Sequence, residues 1–155
     1  MGSKKFALTP FLLCALSASA AYDVNEVTLG ASEKDIKDRF PYANCRPLEW
    51  QTRAAERRCD DSRVKFGGLD ASVTFYLKRD AVEGFDLRFD RREIERMLAF
   101  LRQRYGQPAT ESADPVKIEW RDRASRARVT LEHGRRRASL FVWRGAFEEE
   151  LYKVR

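Results

Sequence analysis

Residues 72–108 read SVTFYLKRDAVEGFDLRFDRREIERMLAFLRQRYGQP. In the first half the apolar residues alternate: Val73, Phe75 and Leu77 share one face of an extended segment, and Phe85, Leu87 and Phe89 share one face of the next. A period of two marks half-buried strands, and Arg79 to Gly84 supplies the turn, so the segments predict an antiparallel pair with one apolar face. After Asp90 the period changes. Ile94, Met97, Leu98, Leu101 and Tyr105 recur at steps of three and four, Asp90 and Glu93 provide a start, and Gly106 and Pro108 a stop. This predicts an amphipathic helix with its stripe on the core and its mixed charges in water.

Upstream, VTLGASEKDIKDRFP (27–41) contains a second, shorter helix. Ser32 caps it, Asp35 stands at the third helical position as in a capping box, Ile36 and Phe40 face the core, and Pro41 helps to end it. Downstream, the polar connector ATESADP (109–115) leads to VKIEWRD, ARVTLEH and ASLFVWRG. The first two alternate, and the third is apolar on both sides, which places it centrally or under cover; together they predict three antiparallel strands. The tail AFEEELYKVR offers a helical turn, or a segment across the sheet through Phe147, Leu151 and Tyr152, or no order at all. The expected fold class is α+β, two helices packed on one face of an antiparallel sheet. DIKDRFP can be laid on LRQRYGQP, each a basic helix end with an aromatic and a proline, as in a divergent duplication with halves 27–79 and 80–144.

The N-terminus, MGSKKFALTPFLLCALSASAAYDV, has two lysines, an apolar run from Phe6 to Leu16 and the small residues Ala18, Ser19 and Ala20. This order predicts a signal peptide over residues 1–20 and one secreted domain over 21–155, located in the periplasm or released further. The run is too short to span a bilayer, and no stable transmembrane span is expected in the mature chain. Leu13 is too bulky to precede a lipid-modified cysteine, so Cys14 leaves with the leader. Loss of Lys4 and Lys5 lowers the formal charge from +6 to +4, too balanced to demand a polyanionic partner.

Two cysteines then remain, Cys45 and Cys59, and three readings compete for them: a redox centre, half of a metal site, or a staple. Redox thiols usually stand closer, as in Cys-x-x-Cys, and a zinc site needs about four ligands. In an oxidising compartment an even number of thiols normally pairs, so a disulfide is favoured.

Catalytic material is sparse. His133 is the only histidine, in LEHGRRR at a strand end; Asp60 with Asp61, and Asp86 with Asp90, are the paired acids. Each reads more simply as an exposed turn, a solvated edge or a helix cap than as an acid–base pair. Gly67-Gly68 makes no phosphate loop, and neither cofactor, metal nor catalytic activity is expected.

The order LGASEKDIKDRFP, then LRQRYGQP, IEWRD and SLFVW, resembles small secreted proteins of the β-lactamase-inhibitory-protein-like and small outer-membrane-assembly-lipoprotein superfamily. The resemblance runs from Val27 to Trp143. It implies a scaffold in which Leu29, Gly30, Ile36, Phe40 and Pro41 match one repeat, and Leu101, Tyr105, Gly106 and Pro108 the next. It also implies a role in binding other proteins or in envelope assembly, and no common catalytic centre.

The strongest surface signal is arginine. Arg121, Arg123, Arg126 and Arg128 surround one predicted hairpin, and Arg135, Arg136 and Arg137 occupy the next turn. Brought to one end or one face, they attract an envelope protein with an acidic surface, or anionic material such as lipid headgroups or glycans; Arg123, Arg126, Arg135 and Arg137 are the best contacts. Nucleic acid is not expected: export argues against it, and Trp120 and Trp143 fit sheet alternation. The sequence therefore predicts a soluble periplasmic protein-interaction or envelope-assembly support module. The alternatives are an inhibitor of a secreted enzyme, with Tyr42 and Trp50 as inserting aromatics, or a small hydrolase using His133.

Overall fold

A computed structural model of the chain describes residues 22–154; the expected leader, with Cys14, lies outside them. A two-residue hairpin, β1 (Asp23–Val24) and β2 (Val27–Thr28), precedes helix α1 (Glu33–Arg39). Four strands follow: β3 (Asn44–Pro47), β4 (Arg57–Phe66), β5 (Leu69–Lys78) and β6 (Ala81–Asp90). A 3-10 turn, Arg91–Glu93, opens helix α2 (Ile94–Tyr105). Four more strands come next: β7 (Thr110–Ala113), β8 (Val116–Asp122), β9 (Ser125–Leu131) and β10 (Arg137–Arg144). Helix α3 (Phe147–Leu151) is the last of these elements. All strands from β3 on form one antiparallel sheet in the order β3-β4-β5-β6-β10-β9-β8-β7.

A helix followed by four strands thus occurs twice, and the two sets meet where β6 pairs with β10, with Leu87 opposite Leu140 and Phe85 opposite Val142. The first set ends with β6 at Asp90, and the turn into α2 opens the second. The connector read as polar coil contains β7, so the second set has four strands and not three. Its four residues are all exposed, and an edge strand with no apolar face leaves no alternation to read.

The periodicities account for the core. Ile36 and Phe40 from α1, and Met97, Leu98 and Leu101 from α2, pack on the sheet face built by Phe75, Phe85, Leu87, Val129 and Leu140. Ser32 accepts from the Asp35 amide and the Asp35 carboxylate accepts from Ser32, completing the capping box. The Asp80 carboxylate, in the β5–β6 turn, accepts from the Glu33 amide at 3.0 Å and ties that turn to the start of α1. Arg79 and Asp80 both have positive φ, 48° and 56°, which matches the twist of a two-residue hairpin. The register shifts beyond Tyr76, where Glu83 is the extra residue, so Val82 and Phe85 both reach the core although three apart.

The expected count of two helices on one face needs correction. Among the described residues there are three α-helices, and α3 lies on the opposite face in a second cluster with Ala54, Ala55, Tyr76 and Trp143. This is why β10 is apolar on both sides: Leu140 and Val142 point toward α1 and α2, while Phe141 and Trp143 meet α3. Among the described residues no helix is long and apolar enough to cross a membrane.

Candidate functional site

Cys45 and Cys59 are opposite one another in the β3–β4 ladder and form a disulfide with an S–S distance of 2.02 Å. The staple is therefore the correct one of the three readings, and it fits an oxidising, extracytoplasmic compartment. Glu33 lies close enough to the two sulfurs to suggest a metal cluster. Both sulfurs are spent in the bridge, and the Arg57 Nε donates to Glu33 at 2.8 Å.

The sheet face away from α1 and α2 carries the polar members of each alternation. Between β5, β6, β10 and β9 it forms an open groove of about 590 Å³, lined among others by Tyr76, Arg88, Arg128, Ser139, Phe141 and Tyr152. The Ser139 hydroxyl donates to Asp86 Oδ1 at 2.6 Å and Arg88 Nε donates to its other oxygen at 2.8 Å. Asp86 is thus a bound structural acid and not half of a pair with Asp90, which accepts from the Arg92 amide and guanidinium. The Asp60 and Asp61 pair is likewise divided. Burial alone would raise the Asp60 carboxyl, but hydrogen bonds from Arg58 and Thr74 and the charge of Arg46 outweigh it and hold it below the usual range. Asp61 accepts from the Arg63 amide.

The seven arginines do not form one patch. β9 runs between the two turns, so Arg121, Arg123 and Arg126 belong to one end of the sheet and Arg135, Arg136 and Arg137 to the other, roughly 20 Å apart at the rise of a strand. An antiparallel meander necessarily puts successive turns at opposite ends. Arg128 sits midway and is the most committed: its guanidinium lies 4.8 Å from the Trp143 ring centre, donates to Glu148 at 3.2 Å and comes within 3.8 Å of Glu119. Burial disfavours its charged form and is opposed by Glu119. Arg121 donates to Glu119 at 2.7 Å and Arg135 to Glu132 at 3.2 Å. Arg137 reaches the Ser72 hydroxyl at 3.1 Å. Among the described residues Arg123, Arg126, Arg136 and Arg137 make no ion pair.

His133 is exposed in the β9–β10 turn, and Glu132 beside it is engaged by Arg135. Tyr42 is 90% exposed. Trp50 is not available for insertion: its indole N–H donates to the Leu151 carbonyl at 2.8 Å and its ring stacks on Tyr152. Sequence reading missed Glu119 and Glu148, the acids that hold Arg128. Glu119 was within reach, because strand alternation puts it on the same sheet face as Arg128.

Tyr76 forms part of the groove floor, and burial pushes its phenol up to about 12; burial does the same, to about 12, for Tyr22 under the other face. A phenol raised in the folded state favours folding below the unfolded value near 10. That contribution is lost as pH rises toward 12, because the unfolded chain ionises first. Stability should therefore fall between pH 10 and 12, with the unfolding midpoint followed by circular dichroism. A Tyr76→Phe chain should lose less over that window, and an identical fall in both chains would refute the assignment.

No family model, curated protein or solved structure matches this chain.

Proposed function

We propose that the protein is a soluble periplasmic protein-interaction or envelope-assembly support module without catalytic activity, and that the groove end beside the β9–β10 turn receives an acidic partner surface. One observation carries this reading. The three acids along the groove are each engaged by an arginine of the same chain, Asp86 by Arg88, Glu132 by Arg135 and Glu148 by Arg128; Arg136 and Arg137 stand at the rim with no ion pair among the described residues, although Arg137 lies opposite Asp90 in the β6–β10 ladder. Guanidinium forks suit carboxylates, and a rim cation steers and orients an acidic partner. The doubled helix-and-strands order supports membership of the superfamily that the sequence resembles, whose members bind proteins; the disulfide and the leader-like N-terminus support the periplasm.

Charge reversal tests it. Arg136→Glu with Arg137→Glu should reduce capture of an acidic envelope protein about tenfold, and wild-type capture should weaken with salt. Both side chains are exposed, but Arg137 gives up its bond to Ser72 and a glutamate there faces Asp90 across the ladder, so capture is compared well below both melting temperatures. Equal capture by both chains at matched stability would remove this rim from the binding reading. Anionic vesicles or glycans held by wild type and released by the variant would replace the protein partner with envelope material. The exposed Tyr42 favours a second reading, inhibition of a secreted enzyme; Tyr42→Ala in the same capture separates the two, since only that reading requires the ring.

A further inference from the structure

The C-terminal segment from Ala146 crosses the second sheet face and walls the groove with Glu148 and Tyr152. Phe147 and Leu151, one helical turn apart, bury in the cluster with Tyr76 and Trp143. Room for the Phe147 ring exists because residue 84 is glycine: a Cβ there would lie 2.6 Å from it. Between the two anchors, Glu148 meets Arg128. Glu149, next along, is exposed. The bed is thus built for three side chains: an aromatic, a glutamate directly after it, and an aliphatic residue three further on.

The occupant is weakly held compared with its bed. A five-residue helix is not stable alone. Beyond the cluster and the Arg128 pair, its ties are the bonds from Trp50 and Thr52 to its carbonyls, the stack of Tyr152 on Trp50 and one isolated bridge, Thr52 to Val154. The bed, by contrast, consists of β5, β6, β9 and β10 at the centre of the sheet. A short element held on one sheet face by a few side chains opens without global unfolding.

We infer that this bed is a recognition site for a short acidic helical turn of the pattern Phe-Glu-x-x-Leu, held at rest by the chain's own Phe147–Leu151 and taken over by the equivalent turn of a protein partner. The inference rests on the protein-interaction reading above and specifies the partner: it presents a glutamate for Arg128 between two apolar anchors. The resident segment lowers apparent affinity by the fraction of molecules in which it is seated, so only a partner segment at high local concentration displaces it.

The test needs no envelope partner and leaves Arg136 and Arg137 intact, so its failure is distinct from failure of the rim. A protease site placed between Gly145 and Ala146 in the full chain is cut after folding. A fluorescein-labelled peptide of residues 146–154 is then added and its anisotropy followed. Saturable exchange is expected. The Glu148→Lys peptide should bind at least tenfold more weakly, and the Glu149→Lys peptide within about threefold of the parent. Absence of saturable exchange, or equal losses from both lysine peptides, would overturn the site. Elution of the uncut chain as a dimer that the peptide dissolves would overturn the partner assignment in favour of exchange between copies. In the uncut wild-type chain, amides of the last turn should exchange hydrogen at least a hundredfold faster than those of Leu140 to Trp143. Equal protection would overturn the detachment on which takeover depends.

Discussion

Phe75→Ala should lower the unfolding free energy by about 3–5 kcal/mol, the range for emptying a buried aromatic site. Phe75 is fully buried in β5, with its ring centre 5.4 Å from that of Phe40 and 5.8 Å from that of Phe85. It therefore touches the end of α1 on one side and β6 on the other. The void cannot close easily, because the Phe40 N–H donates to the Ile36 carbonyl and Phe85 is held by the β6–β10 ladder. Urea unfolding of wild type, Phe75→Leu and Phe75→Ala is the measurement, with the leucine chain expected between the other two. A loss below about 1 kcal/mol for alanine would mean that the two rings collapse into the space and that this contact does not organise the face.

Removal of the disulfide should come next in size. Cys45→Ala with Cys59→Ala opens a loop of sequence separation 14, for which loop-closure entropy gives about 3 kcal/mol. Over a domain of this length that is roughly 10 °C in melting temperature. The damage should concentrate in β3, a four-residue edge strand with no buried side chain of its own. Its other ties are the ladder to β4 and pairs such as Arg46 with Asp60 and Glu49, and ion pairs this exposed contribute little. Hydrogen exchange should show residues 44–47 opening first, and reduction of the wild-type chain should reproduce the shift. An unchanged melting temperature after complete reduction would show that the ladder alone secures this edge.

The local features of this chain were legible, and its long-range ones were not. The β5–β6 pair, the α2 stripe and the Ser32–Asp35 box each depend on residues a few positions apart, where side-chain period and capping chemistry act directly. The bridge was legible because reading Cys14 as part of a leader left two cysteines to pair. The β6–β10 join was not, since any apolar strand is a plausible neighbour for Leu87 until the whole sheet is assembled. β7 escaped notice because its exposed residues carry no burial pattern; the α3 turn was one of three readings of the tail, and its place was not legible because Phe147 and Leu151 gain their meaning only from Gly84 and Tyr76 beneath them. At the site, the arginine count was visible but its division between two ends was not. Arg128 illustrates the difficulty: it reads as a surface charge, and only the positions of Glu119, Trp143 and Glu148 reveal it as an internal anchor.

The join between β6 and β10 also has a consequence for the nascent chain. Residues Gly84 to Asp90 pair with Arg137 to Trp143, which follow roughly fifty residues later in the chain. Throughout that interval the completed hairpin of β5 and β6 has a bare border of amides and carbonyls beside its greasiest side chains, the state most prone to aggregate. A chain that folds from its N-terminus, on the ribosome or after translocation, keeps that border open until its last long strand pairs, so a holding chaperone is of most use before Arg137 to Trp143 dock.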